Sequence, residues 1–216
     1  MAPRTIVACG GFPSGSVVDY ALGFAGGRRI LVDTTAYPER ELEWPEEWNA
    51  EPTHLSFYPW PPDDLRELAL SHDAILVCGG STANMLAVWR VHGFDRILRE
   101  AWESGIVLFG WSAGMICWFE AGVTDSFGPQ LEGMRDGLGF LGGSACPHYD
   151  GEAARRPAYR RFVAEGFPAG LALDDAAAAR FDGTELVEVV SAAPPAGGYR
   201  VGRDGEARID ARPLDG

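Results

Sequence analysis

Short, wholly apolar runs alternate with stretches of helical periodicity through the first half of the chain. Thr5–Cys9 is a β-branched run that stops at Gly10-Gly11, the pattern of a buried strand and a turn. Residues 17–25 have the spacing of a short helix, and Arg29–Asp33 reads as a second strand. Residues 34–52 hold Pro38, Pro45, Trp44, Trp48 and six acidic residues, and read as a long loop or irregular surface segment. Residues 53–58 resemble a third strand, broken by Pro59-Trp60-Pro61-Pro62, after which Asp63-Asp64 caps a short helix running through Leu70. Residues 74–78 form a continuous apolar strand ending in Gly79-Gly80-Ser81, and residues 82–91 are helical in pattern. Phe94, Ile97, Leu98, Ala101 and Trp102 recur at i, i+3, i+4, i+7 and i+8, an amphipathic helix ended by Gly105. A further apolar strand over 106–109 and a helix over 112–119 follow. Apolar strands alternating with helices predict a parallel sheet covered on both faces.

Beyond residue 125 the pattern is looser. Arg155–Ala164 reads as an Arg-rich helix with Pro157 in its first turn, Glu185–Ser191 alternates like a half-exposed strand, and residues 199–211 look like a terminal hairpin. Neither an internal repeat nor a convincing linker interrupts the 216 residues, so one domain spanning 1–216 is expected.

Charge narrows the choice of partner. The net charge is −13, and all 18 basic residues are Arg, with no Lys anywhere. Nucleic acid and anionic membrane are poor partners for such a chain, because both demand a basic face. A small anionic substrate remains possible, since a few buried Arg can hold it locally. Without Lys, Schiff-base chemistry and a Walker-type phosphate lysine are excluded. No apolar run reaches the roughly 18 residues of a membrane helix. Cys9, Cys78, Cys117 and Cys146 lie far apart in apolar or glycine-rich settings, which predicts buried free thiols rather than a zinc site. The first 11 residues are too soon glycine-rich for a signal peptide, so a reducing cytoplasm is the expected compartment.

The chemistry concentrates at Phe109-Gly110-Trp111-Ser112-Ala113-Gly114, a Gly-x-Ser-x-Gly string between a predicted strand and a predicted helix. In that context the serine sits on a sharp turn that holds its hydroxyl at the carboxyl edge of the sheet. Side chains at Gly110 and Gly114 would clash with neighbouring backbone, and the following helix aims its N-terminal N–H groups at the same spot. Ala113 N–H is then one oxyanion donor, and Gly80 N–H, at the end of the adjacent strand, a second. A string of this kind also arises by chance, as a glycine-rich turn with an exposed serine.

A serine nucleophile needs a base. Of His54, His72, His92 and His148, only His148 follows the elbow, in the breaker-rich loop Cys146-Pro147-His148-Tyr149-Asp150. His72 and His92 look like surface residues at polar helix ends, and His54 opens a strand. The acid that would orient the imidazole is left open by the residues themselves: Asp125, Glu120 and Asp150 all qualify.

These motifs, in combination and in order, carry a resemblance. Residues 79–86 (Gly-Gly-Ser-Thr-Ala-Asn-Met-Leu), Gly93-Phe94-Asp95, the serine elbow and Pro147-His148 resemble the signature of the peptidase E (aspartyl dipeptidase) and cyanophycinase family of serine peptidases. The resemblance implies an α/β fold with a doubly wound, mostly parallel sheet, like that of class I glutamine amidotransferases, here with a terminal β-hairpin. It implies Ser112 as nucleophile, His148 as base, and Gly80 and Ala113 as oxyanion donors. By the family's pattern the acid is Asp125. The Cys-Pro-His-Tyr-Asp form resembles a paralogous subgroup, in which Glu120 is the contender. An Arg after the histidine loop would hold an acidic substrate side chain, and Arg155 or Arg156 is favoured.

The expected function is hydrolysis of short peptides, dipeptides with an acidic first residue above all, through an acyl-enzyme. No metal or organic cofactor is expected, and the protein would act as a monomer or homodimer. Two rivals stand beside this reading: an esterase or amidase acting on a non-peptide metabolite, and a binding protein that keeps the elbow without turnover.

Overall fold

The structure is a computed structural model in which residues 4–37 and 43–215 are described. In chain order the first half runs β1 (Thr5–Cys9), α1 (Gly15–Leu22), β2 (Arg29–Asp33), β3 (Glu51–Leu55), α2 (Leu65–Leu70), β4 (Ala74–Val77), α3 (Thr82–His92), α4 (Phe94–Glu103) and β5 (Val107–Trp111). Then come α5 (Ala113–Ile116), β6 (Phe119–Thr124), β7 (Glu132–Met134), β8 (Leu141–Cys146), α6 (Arg155–Ala164) and β9 (Gly170–Leu173). β10 (Ala177–Asp182), β11 (Glu185–Ser191), β12 (Gly198–Gly202), β13 (Gly205–Ile209) and β14 (Ala211–Pro213) close the chain.

Eight strands form the larger sheet, in the order β14-β11-β10-β1-β5-β4-β2-β3. The run β1-β5-β4-β2-β3 is parallel, whereas β10 is antiparallel to β1. The central strands β1, β4 and β5 are almost wholly buried, which is why they read as continuous apolar runs rather than alternating ones. One face of this sheet packs Met85 and Trp89 of α3 with Leu98 and Trp102 of α4. The other packs Val17, Val18 and Ala21 of α1 together with Trp48. Helices on both faces make it doubly wound, as expected.

Local signals hold where the elements are local. Asp64 caps α2 by accepting from the Glu67 N–H at 2.7 Å, and Ser81 caps α3 by accepting from the Asn84 N–H. Gly93, at φ 72°, ends α3 in the left-handed region and turns the chain into α4. The β12–β13 hairpin is present in the stretch read as one.

Four readings are corrected. The third strand is β3, shifted upstream of 53–58, and it tolerates Pro52 because it is the sheet's edge. Trp48 is only 1% exposed, so the irregular segment carries a core residue; its residues 38–42, Pro38 among them, fall outside those described. His72 is buried, with Nδ1 2.7 Å from the Leu68 carbonyl. The helix expected over 112–119 is a single turn, α5, and the chain is already strand again at Phe119.

That early strand opens a second sheet, β13-β12-β9-β8-β6-β7, of which only the terminal hairpin had a local signal. Its parallel centre, β6-β8-β9, pairs residues from separate stretches of chain. β9 then leads through Asp174-Asp175-Ala176 into β10 of the larger sheet.

Candidate active site

Register brings three strand ends together. Val77 of β4 lies opposite Gly110 of β5, and Trp111 of β5 lies opposite Cys9 of β1. Ser112 follows Trp111 directly at this carboxyl edge, between the glycine turns that leave β4 and β1. Ser112 has φ 56° and ψ −111°, a backbone that L-residues avoid. The two motif glycines make that turn possible. A Cβ at Gly114 would stand 2.1 Å from the Val77 carbonyl oxygen, and one at Gly110 would stand 2.4 Å from it. Any side chain there would force β4 and β5 apart.

The Ser112 hydroxyl has no hydrogen-bond partner among the described residues, and neither Gly80 N–H nor Ala113 N–H donates to a protein acceptor. Gly79 Cα stands close enough that a Cβ on it would be 3.1 Å from Ser112 Cβ. Gly80 has φ 134°, and the turn over residues 34–36 backs it: Ser81 N–H donates to the Ala36 carbonyl at 2.8 Å. That turn is fixed by Asp33, fully buried at the end of β2. One Asp33 oxygen accepts from the Thr35 N–H and hydroxyl, the other from Trp89 Nε1 at 3.1 Å. Burial pushes the Asp33 carboxyl up to about 6, against the hydrogen bonds that favour its charged form. The four cysteines are free and buried, and desolvation raises the Cys9 thiol to about 12. That keeps it protonated and unreactive.

His148 arrives from the second sheet. β8 ends at Cys146, and two residues later the His148 N–H donates to the Gly10 carbonyl at 3.2 Å, just past the end of β1. The imidazole Nδ1 lies 2.6 Å from Asp175 Oδ1. Nδ1–H donating to the carboxylate leaves Nε2 as the ring's free acceptor. His148 has φ 53°, and it and Ser112 are the only non-glycine residues at positive φ among those described.

The acid is therefore corrected. Neither Asp125 nor Glu120 reaches the imidazole: Asp125 is exposed in the loop after β6, and Glu120 accepts from the Gly143 N–H at 2.9 Å. Asp150 does not bond His148 either. It accepts from the Asp175 N–H at 2.8 Å and so steadies the residue that does. Asp175 went unnoticed because it lies 27 residues after His148, outside any motif. A signal existed in Gly-Leu-Ala-Leu-Asp-Asp over residues 170–175, a short apolar run ending in two carboxylates. β8 and β9 are parallel neighbours, with Cys146 opposite Ala172, so the loops leaving these two strands emerge side by side.

The two favoured arginines are corrected as well. Arg155 is 2% exposed; Nη1 donates to the Val123 carbonyl at 2.8 Å and Nε to Glu152 at 2.7 Å. It braces α6 against β6. Arg156 forks onto Glu206 of β13, with its guanidinium over the rings of Tyr149 and Tyr199.

A serine strained at the end of a central parallel strand, with a His–Asp pair delivered to the same sheet edge from the loop after β8 and the β9–β10 turn, belongs to an α/β fold like that of class I glutamine amidotransferases, with serine at the turn. Two solved structures share this fold. A candidate peptidase E of Listeria monocytogenes EGD-e has a TM-score of 0.63 at 18% identity, covering 89% of this chain and 100% of that one. A peptidase from an acI-B1 Actinobacterium has a TM-score of 0.63 at 16% identity, covering 96% and 94%. The "Uncharacterized peptidase YgaJ" of Bacillus subtilis (strain 168) is 50% identical over 151 residues, which are 69% of this chain and 65% of that protein. The chain thus matches just under two thirds of its curated relative's length. The profile of Peptidase family S51 matches residues 30–189, and the chain belongs to that family.

Proposed function

We propose that the protein is a serine peptidase of short peptides, in which Ser112 attacks the scissile carbonyl. The observation that carries the reading is that Ser112 and His148 alone, among the described non-glycine residues, sit at positive φ, at one edge of the sheet. Strain at two polar residues that stand together is the mark of a site held in place by the fold around it.

His148 takes the hydroxyl proton on Nε2 while Asp175 holds Nδ1–H and stabilises the imidazolium. The N–H groups of Gly80 and Ala113 donate to the oxyanion, and their lack of protein acceptors supports this role. The imidazolium then protonates the leaving amine. Water, deprotonated by the same Nε2, releases the acid from the acyl-serine.

A preference for an acidic first residue belonged to the resemblance and rested here on Arg155 or Arg156. Both guanidiniums are occupied by their own carboxylates, so the short-peptide reading stands without that requirement.

A fluorophosphonate probe tests the proposal together with a panel of dipeptides and simple esters. Labelling at Ser112, lost in Ser112→Ala, with dipeptide turnover is the expected result. Esters cleaved without peptides would favour an esterase, and absence of labelling would overturn the reading.

A further inference from the structure

We infer that the site selects its substrate through the leaving residue, and that this residue is apolar, aromatic above all, seated on Phe12. The inference rests on the serine-peptidase reading and names the substrate class of that site.

Phe12 is the first side chain after the Gly10-Gly11 turn that leaves β1. That turn is tied directly to the His–Asp pair: Gly10 accepts from the His148 N–H, and the Gly11 N–H donates to the Asp175 carbonyl at 3.0 Å. The Phe12 ring is 53% exposed yet fixed on two sides. It stacks on Trp48 at 5.2 Å between centroids, and meets Trp111, the residue before Ser112, edge-on at 5.0 Å. A lone exposed Phe on a surface is ordinary. An exposed ring held between two tryptophans, one of them the residue before Ser112, and following directly on the Gly11 that donates to the Asp175 carbonyl, is a preformed apolar contact. Other exposed rings stand on other loops, Tyr58 and Trp60 after β3 and Phe127 after β6.

The order of strands says which part of a substrate meets Phe12. Along the carboxyl edge, Gly80 follows β4, Ser112 follows β5, and Gly10-Gly11 with His148 and Asp175 stand at β1 and β10. The oxyanion lies toward Gly80 and Ala113. The leaving nitrogen must face His148, which protonates it. The residue carrying that nitrogen therefore lies on the β1 side, where Phe12 is. Charge points the same way. Asp150 and Asp175 crowd this side of the site, so an anionic leaving residue is repelled, while a neutral aromatic one meets only the ring.

The test uses pools of dipeptide amides. The first residue is randomised over the twenty amino acids, and the second is fixed as Phe, Leu, Gly or Asp. The amide removes the terminal carboxylate, and the released amino-acid amides are quantified by mass. Phe-amide and Leu-amide should appear at least about tenfold faster than Gly-amide or Asp-amide. Phe12→Ala should cut the Phe-to-Gly ratio about tenfold, and Phe12→Leu should restore most of it. Thermal melting confirms that both variants are folded. Equal release from the four pools, an unchanged ratio in Phe12→Ala, or fluorophosphonate labelling of Ser112 with no pool cleaved would each overturn this proposal and leave the activated serine standing. Failure to label Ser112 in the wild type would remove the peptidase reading, and this one with it.

Discussion

The two halves of the site are built in different ways. The serine half is local: within the six residues from Phe109 to Gly114, a buried strand, two glycines and one helical turn fix Ser112. The His–Asp half is assembled from afar. His148 leaves β8, Asp175 leaves β9, and both meet the Gly10-Gly11 turn at the end of β1, the strand beside β5, because the β9–β10 turn carries the chain from the smaller sheet into the larger. A local half is specified by sterics that no nearby alternative satisfies. A long-range half is specified by pairing, and several carboxylates of similar local appearance compete until pairing selects one.

Breaking the local half should have the largest effect. Ser112→Ala should lower turnover by on the order of 10⁶ and abolish fluorophosphonate labelling, with an unchanged melting temperature. Peptide turnover kinetics on the folded variant check this.

Breaking the long-range half comes next. Asp175→Asn should cost about 10⁴ in kcat, because the imidazole loses the carboxylate that sets its tautomer and stabilises its cation. Asp125→Asn and Glu120→Gln should stay within a few-fold of wild type. The same kinetic series compares all three, and a large loss at Asp125 with little at Asp175 would return the acid to the position the family pattern favoured.

The supports of the two halves can be separated too. Arg155→Ala removes a buried guanidinium from the Val123 carbonyl and from Glu152, beside the strands that deliver His148. It should cost roughly 1 to 3 kcal/mol in unfolding free energy, because the buried Val123 carbonyl loses its donor while Glu152 stays half exposed to water, without changing the ratio of Asp-X to Ala-X hydrolysis. Urea denaturation and that ratio together distinguish a brace from a substrate anchor.

The last effect sharpens the serine half. Asp33 fixes the turn behind Gly80, and its folded pKa is raised to about 6 from the ordinary 3.8. The folded protein therefore holds this proton more tightly than the unfolded chain. Its contribution is complete below the unfolded value and lost as pH rises through about 6. The shift of about 2 units corresponds to about 3 kcal/mol at most. Asp33→Asn carries no such proton, so its stability relative to wild type should rise by up to that amount between about pH 4 and about pH 7. Denaturation curves across that range check the sign.

How far the sequence could be read follows the same division. The parallel core was legible because β1, β4 and β5 are buried on both faces and had to be apolar throughout. The smaller sheet was not. Its strands are short, glycine-bearing stretches such as Leu141–Cys146, whose partners lie well separated in the chain, so local propensity says little about them. The helix expected to run to residue 119 ended after one turn because Phe119 pairs with Leu141, a contact that residues 112–119 do not themselves announce.

The sequence by itself singled out Ser112, its flanking glycines and His148 among four histidines as the candidates that the proposed function uses. A sharp strand–helix turn leaves its steric requirement in adjacent residues, and a single histidine follows it in a breaker-rich loop. Only the tertiary structure decided that Asp175 holds the imidazole, that Asp150 holds Asp175, and that Arg155 is sealed against Val123. A carboxylate or guanidinium looks alike wherever it stands in a sequence; its partner is set by which strand ends the sheet pairing brings side by side.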